Sequence, residues 1–185
     1  MKSFIIAVSV VVLVLAVGLQ AQTLSPKPGP ELKKLEPWVG EWNIEAVAKD
    51  SPSGPEYKFY WTIQFGWIQE GFFLEAHHTW KSKDGETKSL EILWYDPSKE
   101  LYRSCGFASD GSTWASTATF EHGIFVISAT GVNAEGKPTT KERNTFVFSP
   151  DQTSFSVKGE EEKDGTWWTS LTGKGIKAKI PSKTQ

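Results

Sequence analysis

The most conspicuous polar residues in the sequence are His77 and His78, in the segment FFLEAHHTW. An imidazole at such a position could bond a ligand, titrate near neutral pH or coordinate a metal. If the segment is a β-strand, adjacent side chains point to opposite faces, so the two histidines cannot share a metal ion. His78 shares its face with Leu74 and Trp80 and is predicted to point inward. A hydrogen-bonded core histidine is the plainer interpretation, and no metal site is expected.

Two arginines occur in segments that alternate like strands, Arg103 in LYRSCGFA and Arg143 in TKERNTFVF. Inside a cavity, a guanidinium could bind a carboxylate through two parallel hydrogen bonds. A charge on an inward face is costly unless it is paired or hydrated. The alternative is that both faces meet solvent, with the long side chains lying over the sheet. Both arginines remain candidates for orienting the polar end of a ligand.

Aromatic residues are abundant, with nine tryptophans and eleven phenylalanines in 185 residues. Core packing is their default role. A barrel of about ten strands, however, encloses more volume than side chains fill, whereas about eight strands is near the filled limit. We therefore expect some indoles to line a cavity. The predicted ligand-binding residues are Trp61, His78, Trp94, Arg103, Trp114 and Arg143.

Other chemistry is weakly signalled. Cys105 is the only cysteine, so no intrachain disulfide can form, and a structural role as a small hydrophobic residue is expected rather than one as a nucleophile. Glu70, Glu75 and Glu91 could pair for acid–base work, although their spacing does not demand it. Nucleophile-elbow, phosphate-loop and zinc-protease motifs do not occur in the sequence. The net charge of −2 is too balanced to indicate nucleic acid as a partner. No cofactor is expected.

The elements that would position these residues follow from periodicity and turn chemistry. After Gly40, segments such as EWNIEAVAK and YKFYWTIQFGW alternate with period two, which predicts strands. Glycine, proline, Asp and Asn then interrupt the chain about every dozen residues. The nine breaks are 52–55, 70–71, 83–85, 96–98, 109–111, 122–123, 133–136, 149–151 and 163–165.

Ten short strands joined by tight turns predict an all-β antiparallel meander. Closure into an up-and-down barrel would remove its unpaired edges, and a flat sandwich is the alternative. Glycines inside the strands favour the barrel, because they often mark bends where a sheet curls. These glycines are Gly66, Gly106, Gly131, Gly173 and Gly175.

One short helix is predicted before the first strand, in PELKKLEPWVG. Pro30 suits its first turn, and Pro37 limits it to barely two turns. Gly40 and Trp42 follow. A short helix followed by Gly-x-Trp on the first strand resembles the signature of lipocalin and calycin barrels. The resemblance implies that the helix plugs the closed end of the barrel and that Trp42 packs across it.

Nearly the whole chain resembles small exported bacterial proteins of the family called domain of unknown function 1579. The segments that carry the resemblance are Pro28–Leu35, Val39–Trp42, Glu70–Phe73 and Tyr95–Pro97. It implies a lipocalin-like barrel, and the family has no agreed activity. Haem-binding nitrobindin barrels hold haem through a histidine near the C-terminus. This chain has no histidine after His122, and so departs from them.

The N-terminus reads as a secretory signal peptide. Lys2 is followed by an apolar run over residues 4–17 and by small and polar residues to Ala21. A membrane anchor is the alternative, but a spanning helix needs about 20 apolar residues. We therefore predict a signal peptide over 1–21, an extended linker over 22–30 and one barrel domain over 31–180. The protein would be secreted or periplasmic.

These observations lead to one functional expectation and two alternatives. The expected function is an exported barrel that binds a small, largely apolar molecule in its interior, without nucleic acid or, after signal cleavage, membrane as a partner. The first alternative is an enzyme, an isomerase or hydrolase, that uses the same cavity. The second is a structural or interaction protein whose barrel is filled. The sequence does not predict an oligomeric state.

Overall fold

The computed structural model describes residues 27–179. The predicted signal peptide, 1–21, and most of the predicted linker lie outside the described residues. Ten antiparallel strands follow one another in chain order, and the last pairs with the first to close the barrel. The strands are β1 Gly40–Ala48, β2 Tyr57–Ile68, β3 Phe73–Ser82, β4 Gly85–Asp96, β5 Leu101–Ala108, β6 Thr113–Glu121, β7 Ile124–Val132, β8 Glu142–Phe148, β9 Ser154–Lys163 and β10 Thr166–Lys177.

The predicted up-and-down barrel is therefore confirmed, and the sandwich alternative is wrong. Each of the nine predicted breaks coincides with a connection between two strands, and three of them overlap a strand end by one residue, at Gly85, Asp96 and Lys163. The turns use the expected chemistry. The carboxylate of Asp110, for example, accepts a hydrogen bond from the backbone N–H of Ser112 at 2.9 Å. Gly123 and Gly165 supply positive φ angles of 78° and 77° in two other turns.

The segment before β1 closes one end of the barrel. It contains a four-residue helix, α1 Pro30–Lys33, and a separate 3₁₀ turn over Glu36–Trp38, in place of one continuous helix. Leu35 between them is fully buried. The Tyr102 hydroxyl donates to the carbonyl of Glu31 at 2.8 Å and so fixes α1 to β5. We call residues 30–38 the plug. Within residues 27–179, no helix has the length and apolar character needed to span a bilayer.

Trp42 lies at the junction of the plug and the barrel. It is fully buried, and its indole N–H donates to the carbonyl of Trp38 at 2.7 Å. Gly40, with φ of +114°, turns the chain from the plug into β1. Lys177 at the end of β10 places its ammonium 5.4 Å from the centre of the Trp42 ring and donates to the carbonyl of Pro37 at 3.0 Å. The plug, the first strand and the last strand thus meet at this indole.

Phenylalanines fill the space above the plug. The indole of Trp38 packs against five phenylalanine side chains, and the distances between ring centroids are 4.7 to 5.4 Å. These are Phe65, Phe125, Phe146, Phe148 and Phe155. This aromatic layer seals the lower half of the barrel and leaves the upper half to a different set of side chains.

Candidate functional site

The upper half of the barrel contains a cavity of about 260 Å³. Trp38 and Phe146 form its floor, and the β5–β6 and β7–β8 connections form its rim, at the end opposite the plug. The walls are mainly aromatic and aliphatic. The polar or charged side chains that line the cavity are His78, Glu91, Ser112, Thr113, Thr130, Thr139, Thr140, Glu142 and Asn144.

His78 on β3 points into this cavity, and only 4% of it is exposed. The indole N–H of Trp61 on β2 donates to Nδ1 of His78 at 3.0 Å, and the two rings stack with centroids 5.6 Å apart. A nitrogen that accepts a hydrogen bond carries no proton, so the proton of the neutral imidazole sits on Nε2. Nε2 faces Oε2 of Glu91 at 3.2 Å.

Glu91 on β4 is the carboxylate that faces His78 in the cavity, and 13% of its side chain is exposed. Its other oxygen, Oε1, accepts a hydrogen bond from the Ser104 hydroxyl on β5, which in turn contacts the Ser116 hydroxyl on β6. Burial raises the pKa of Glu91, but the nearby imidazole of His78 and the Ser104 hydroxyl outweigh burial and hold the pKa below its usual value. The geometry therefore stabilises a carboxylate anion inside the barrel.

Three indoles stand together beside this anion. The rings of Trp61 and Trp80 are 6.3 Å apart, and those of Trp80 and Trp114 are 6.0 Å apart. Trp80 also lies 5.6 Å from the His78 ring. Side chains from β2, β3 and β6 thus build one aromatic wall next to a charged group.

A pair of carboxyl groups lies at the rim of the cavity. Glu142 on β8 and Glu161 on β9 are directly opposite in the strand register. Desolvation and the repulsion of Glu161 raise the pKa of Glu142, and burial raises the pKa of Glu161. The fold therefore disfavours the ionised form of both rim carboxyl groups, in contrast to Glu91.

Residues 27–175 match the family described as protein of unknown function (DUF1579). The chain belongs to this family. Among curated proteins, none matches the sequence.

Two solved structures share the fold of this DUF1579 barrel. Rv2717c from M. tuberculosis is 12% identical, with a TM-score of 0.62 over 83% of this chain and 100% of that chain. The S-type phycobiliprotein lyase CPES from Guillardia theta is 10% identical, with a TM-score of 0.53 over 83% of this chain and 99% of that chain. At these identities the likeness shows a common barrel fold and does not extend to function.

The DUF1579 barrel brings three of the predicted ligand-binding residues together. Trp61, His78 and Trp114 all line the cavity. Trp94 does not, because Glu91 and Leu93 occupy the inward positions of β4 and the alternation turns Trp94 outward. Its ring packs against Phe73, with centroids 6.4 Å apart.

The two arginines lie on the outer surface, as in the solvent-facing alternative, so neither lines the cavity as a ligand-binding candidate. Arg103 donates through Nε to Asp96 at 2.8 Å, and 42% of its side chain is exposed. Arg143 donates through Nε and Nη2 to one oxygen of Glu160, at 3.0 and 2.8 Å, and covers the ring of Trp167. Both guanidiniums are paired outside the barrel, which is the cheaper location for a charge.

Sequence reasoning missed the partners of His78. Glu91 was only one of several carboxylates without a stated partner, and the role of Ser104 had no local signal. The register of β3 and β4 could have located Glu91. A two-residue loop pairs Ser82 with Gly85, and counting back from it places Glu91 opposite Ala76, one inward position from His78.

Proposed function

We propose that this barrel binds a small, largely apolar molecule in its interior. The observation that supports the proposal is the cavity of about 260 Å³, whose aromatic walls enclose one charged polar end. Apolar cavities with a few convergent polar groups are the usual form of small-molecule sites, and their volumes run from roughly 300 to 1,000 Å³. This cavity lies just below that range, so the ligand is compact. A filled structural barrel would leave no such space.

Catalysis at the same site is the second candidate, because a histidine and a carboxylate lie 3.2 Å apart in the cavity. Two features favour binding. The lone pair on Nδ1 of His78 already accepts the Trp61 N–H, so the imidazole has no free basic nitrogen. The pKa of Glu91 is held below its usual value, whereas a general base works best with a pKa near the working pH.

Export is part of the proposal. The predicted signal peptide over residues 1–21 supports a secreted or periplasmic location, with a membrane anchor as the alternative. Fractionation of the host, with the intact mass of the purified protein, tests it. A mass that lacks about the first 21 residues supports export, and a full-length protein in the membrane fraction supports the anchor.

The test of binding is native mass spectrometry of the protein purified from its own host, followed by extraction of the bound material. We expect a small molecule in stoichiometric amount. Two variants sharpen the result. Ala129→Phe places a ring in the cavity and should remove the molecule, whereas Ser128→Phe places it on the exposed outer face of the same strand and should not. A barrel that stays empty after exposure to host extract contradicts the proposal.

A further inference from the structure

The charge inside the cavity is one-sided. Among residues 27–179, the cavity is lined by the carboxylates Glu91 and Glu142 but by no lysine or arginine. The arginines that could have received a ligand carboxylate are paired outside the barrel. An anionic ligand entering this cavity would meet repulsion from Glu91 without compensation, so acidic ligands fit it poorly.

Within residues 27–179, Glu91 also forms no ion pair with a lysine or an arginine. Within the described part of the chain, His78 is the only basic side chain within ion-pair distance of it. The Trp61 indole donates to Nδ1 of His78, so Nε2 is the imidazole nitrogen directed at the Glu91 carboxylate, at 3.2 Å. Buried charges are normally paired with an opposite charge, whereas the imidazole of His78 and the hydroxyl of Ser104 face Glu91 in place of a lysine or arginine.

The side chains beside Glu91 are those that favour an organic cation. The indoles of Trp61, Trp80 and Trp114 form one wall of the cavity that Glu91 also lines, and tryptophan faces attract ammonium groups more strongly than other aromatic rings do. A metal ion is a poorer fit. Within residues 27–179, no three His, Cys, Asp or Glu side chains are grouped to hold one. The aromatic wall would contribute nothing to its coordination.

We propose that the ligand is a compact organic amine whose ammonium group binds Glu91 while its apolar body lies against the indoles. This inference rests on the proposed binding function and specifies its ligand class. The carboxylate accepts a charge-assisted hydrogen bond from the ammonium, and the tryptophan faces add cation–π attraction.

Three probes of similar size separate this inference from binding in general. They are phenethylamine, phenethyl alcohol and hydrocinnamate, which share an aromatic body and carry a positive, a neutral and a negative end. Isothermal titration calorimetry on the protein purified from its own host, with bound material removed, measures each affinity near neutral pH. We expect the amine to bind at least about tenfold more tightly than the alcohol, and hydrocinnamate to bind most weakly.

Two variants identify the group responsible. Glu91→Gln keeps the shape of the side chain and removes its charge, so the preference for the amine should disappear while the affinity for the alcohol is retained. Glu75→Gln, on the outward side of β3 beside His77, should keep the full preference.

The outcomes distinguish the inference from the function on which it rests. If the alcohol or hydrocinnamate binds as tightly as the amine, the ammonium inference is overturned and the binding function stands. A preference for the amine that survives Glu91→Gln also overturns it. If none of the three probes binds to the folded protein, the ammonium inference fails, and the proposed binding function fails as well only if native mass spectrometry also finds the barrel empty after exposure to host extract.

Discussion

Gly106 on β5 leaves the space that the indole of Trp114 on β6 occupies. The two residues are opposite in the register, and a Cβ atom at Gly106 would overlap the six-membered ring of that indole. The φ angle of Gly106 is not in the left-handed region, so an alanine would be strained by contact with the ring and not by its backbone. This glycine therefore sets the position of one indole in the cavity wall.

Gly106→Ala should move the Trp114 ring and lower the free energy of unfolding by about 1–3 kcal/mol, the usual cost of overpacking. Urea unfolding followed by tryptophan fluorescence measures both effects. Gly66→Ala on β2 is the matched control, because a Cβ there has no atom within 4 Å. Equal stability of the two variants would contradict the role of Gly106.

Trp61→Phe should allow the imidazole of His78 to adopt both of its neutral tautomers instead of the Nε2–H tautomer alone. The phenyl ring keeps much of the stacking but removes the N–H that Nδ1 accepts at 3.0 Å. We expect nitrogen NMR of the imidazole to show proton exchange between Nδ1 and Nε2, with a loss of about 0.5–1.5 kcal/mol in stability for the hydrogen bond. Trp80→Phe is the control, because it also replaces an indole of the cavity wall by a phenyl ring but leaves the Trp61 hydrogen bond in place. Its nitrogen NMR spectrum should still show the proton of His78 on Nε2. An unchanged spectrum in Trp61→Phe would refute the assignment.

Trp42→Ala should be among the most destabilising substitutions. It removes a fully buried indole and its hydrogen bond to the Trp38 carbonyl. The expected loss is about 3–5 kcal/mol by urea unfolding. Trp167→Ala, on the outer face with 38% of the residue exposed, should cost less than about 1 kcal/mol. Similar losses in both would mean that the plug does not depend on Trp42.

Glu91→Gln should change the pH dependence of stability in a defined direction. The folded pKa of Glu91 lies below its ordinary value of 4.5, so folding favours the ionised form. Its stabilising contribution is fully present above pH 4.5 and is lost as the pH falls through the lower folded pKa. At neutral pH the variant should be less stable by about 1.5–3 kcal/mol, and the difference should shrink in acid.

Glu142→Gln should change the pH dependence of the free energy of unfolding in the opposite direction to Glu91→Gln. The folded pKa of Glu142 is raised, so ionisation opposes folding. The stability of the wild type relative to this variant should therefore fall as the pH rises from 4.5 through the raised pKa. Urea unfolding at a series of pH values measures both variants. Parallel curves for Glu91→Gln and Glu142→Gln would contradict both assignments.

The barrel could be predicted from the sequence because its signals are local. Each turn can be recognised by a glycine, a proline or a side chain that hydrogen-bonds the backbone of the turn, as the Asp110 carboxylate does with the N–H of Ser112. Each strand shows period two. The transition at Gly40 marks where the plug ends, because its positive φ favours glycine at that point.

The site was only partly predictable, because the choice of inward face depends on neighbours distant in sequence. On β5 the more hydrophobic-looking face carries Arg103 and Phe107, and it points outward. The inward face carries Ser104 and Gly106, which look unsuited to a core. Ser104 is there to hydrogen-bond Glu91, and Gly106 makes room for an indole. Neither relationship is visible within one strand.

The pairing of β1 with β10, which closes the barrel beside Trp42, has a consequence for the order of folding. Every other strand interface joins consecutive strands and can form as a local hairpin, whereas β1 and β10 come from opposite ends of the folded domain. Closing that long loop costs the most chain entropy and is the slowest contact to make. Because Lys177 reaches both the Trp42 ring and the Pro37 carbonyl, docking of the plug and closure of the ring should occur in one late folding step.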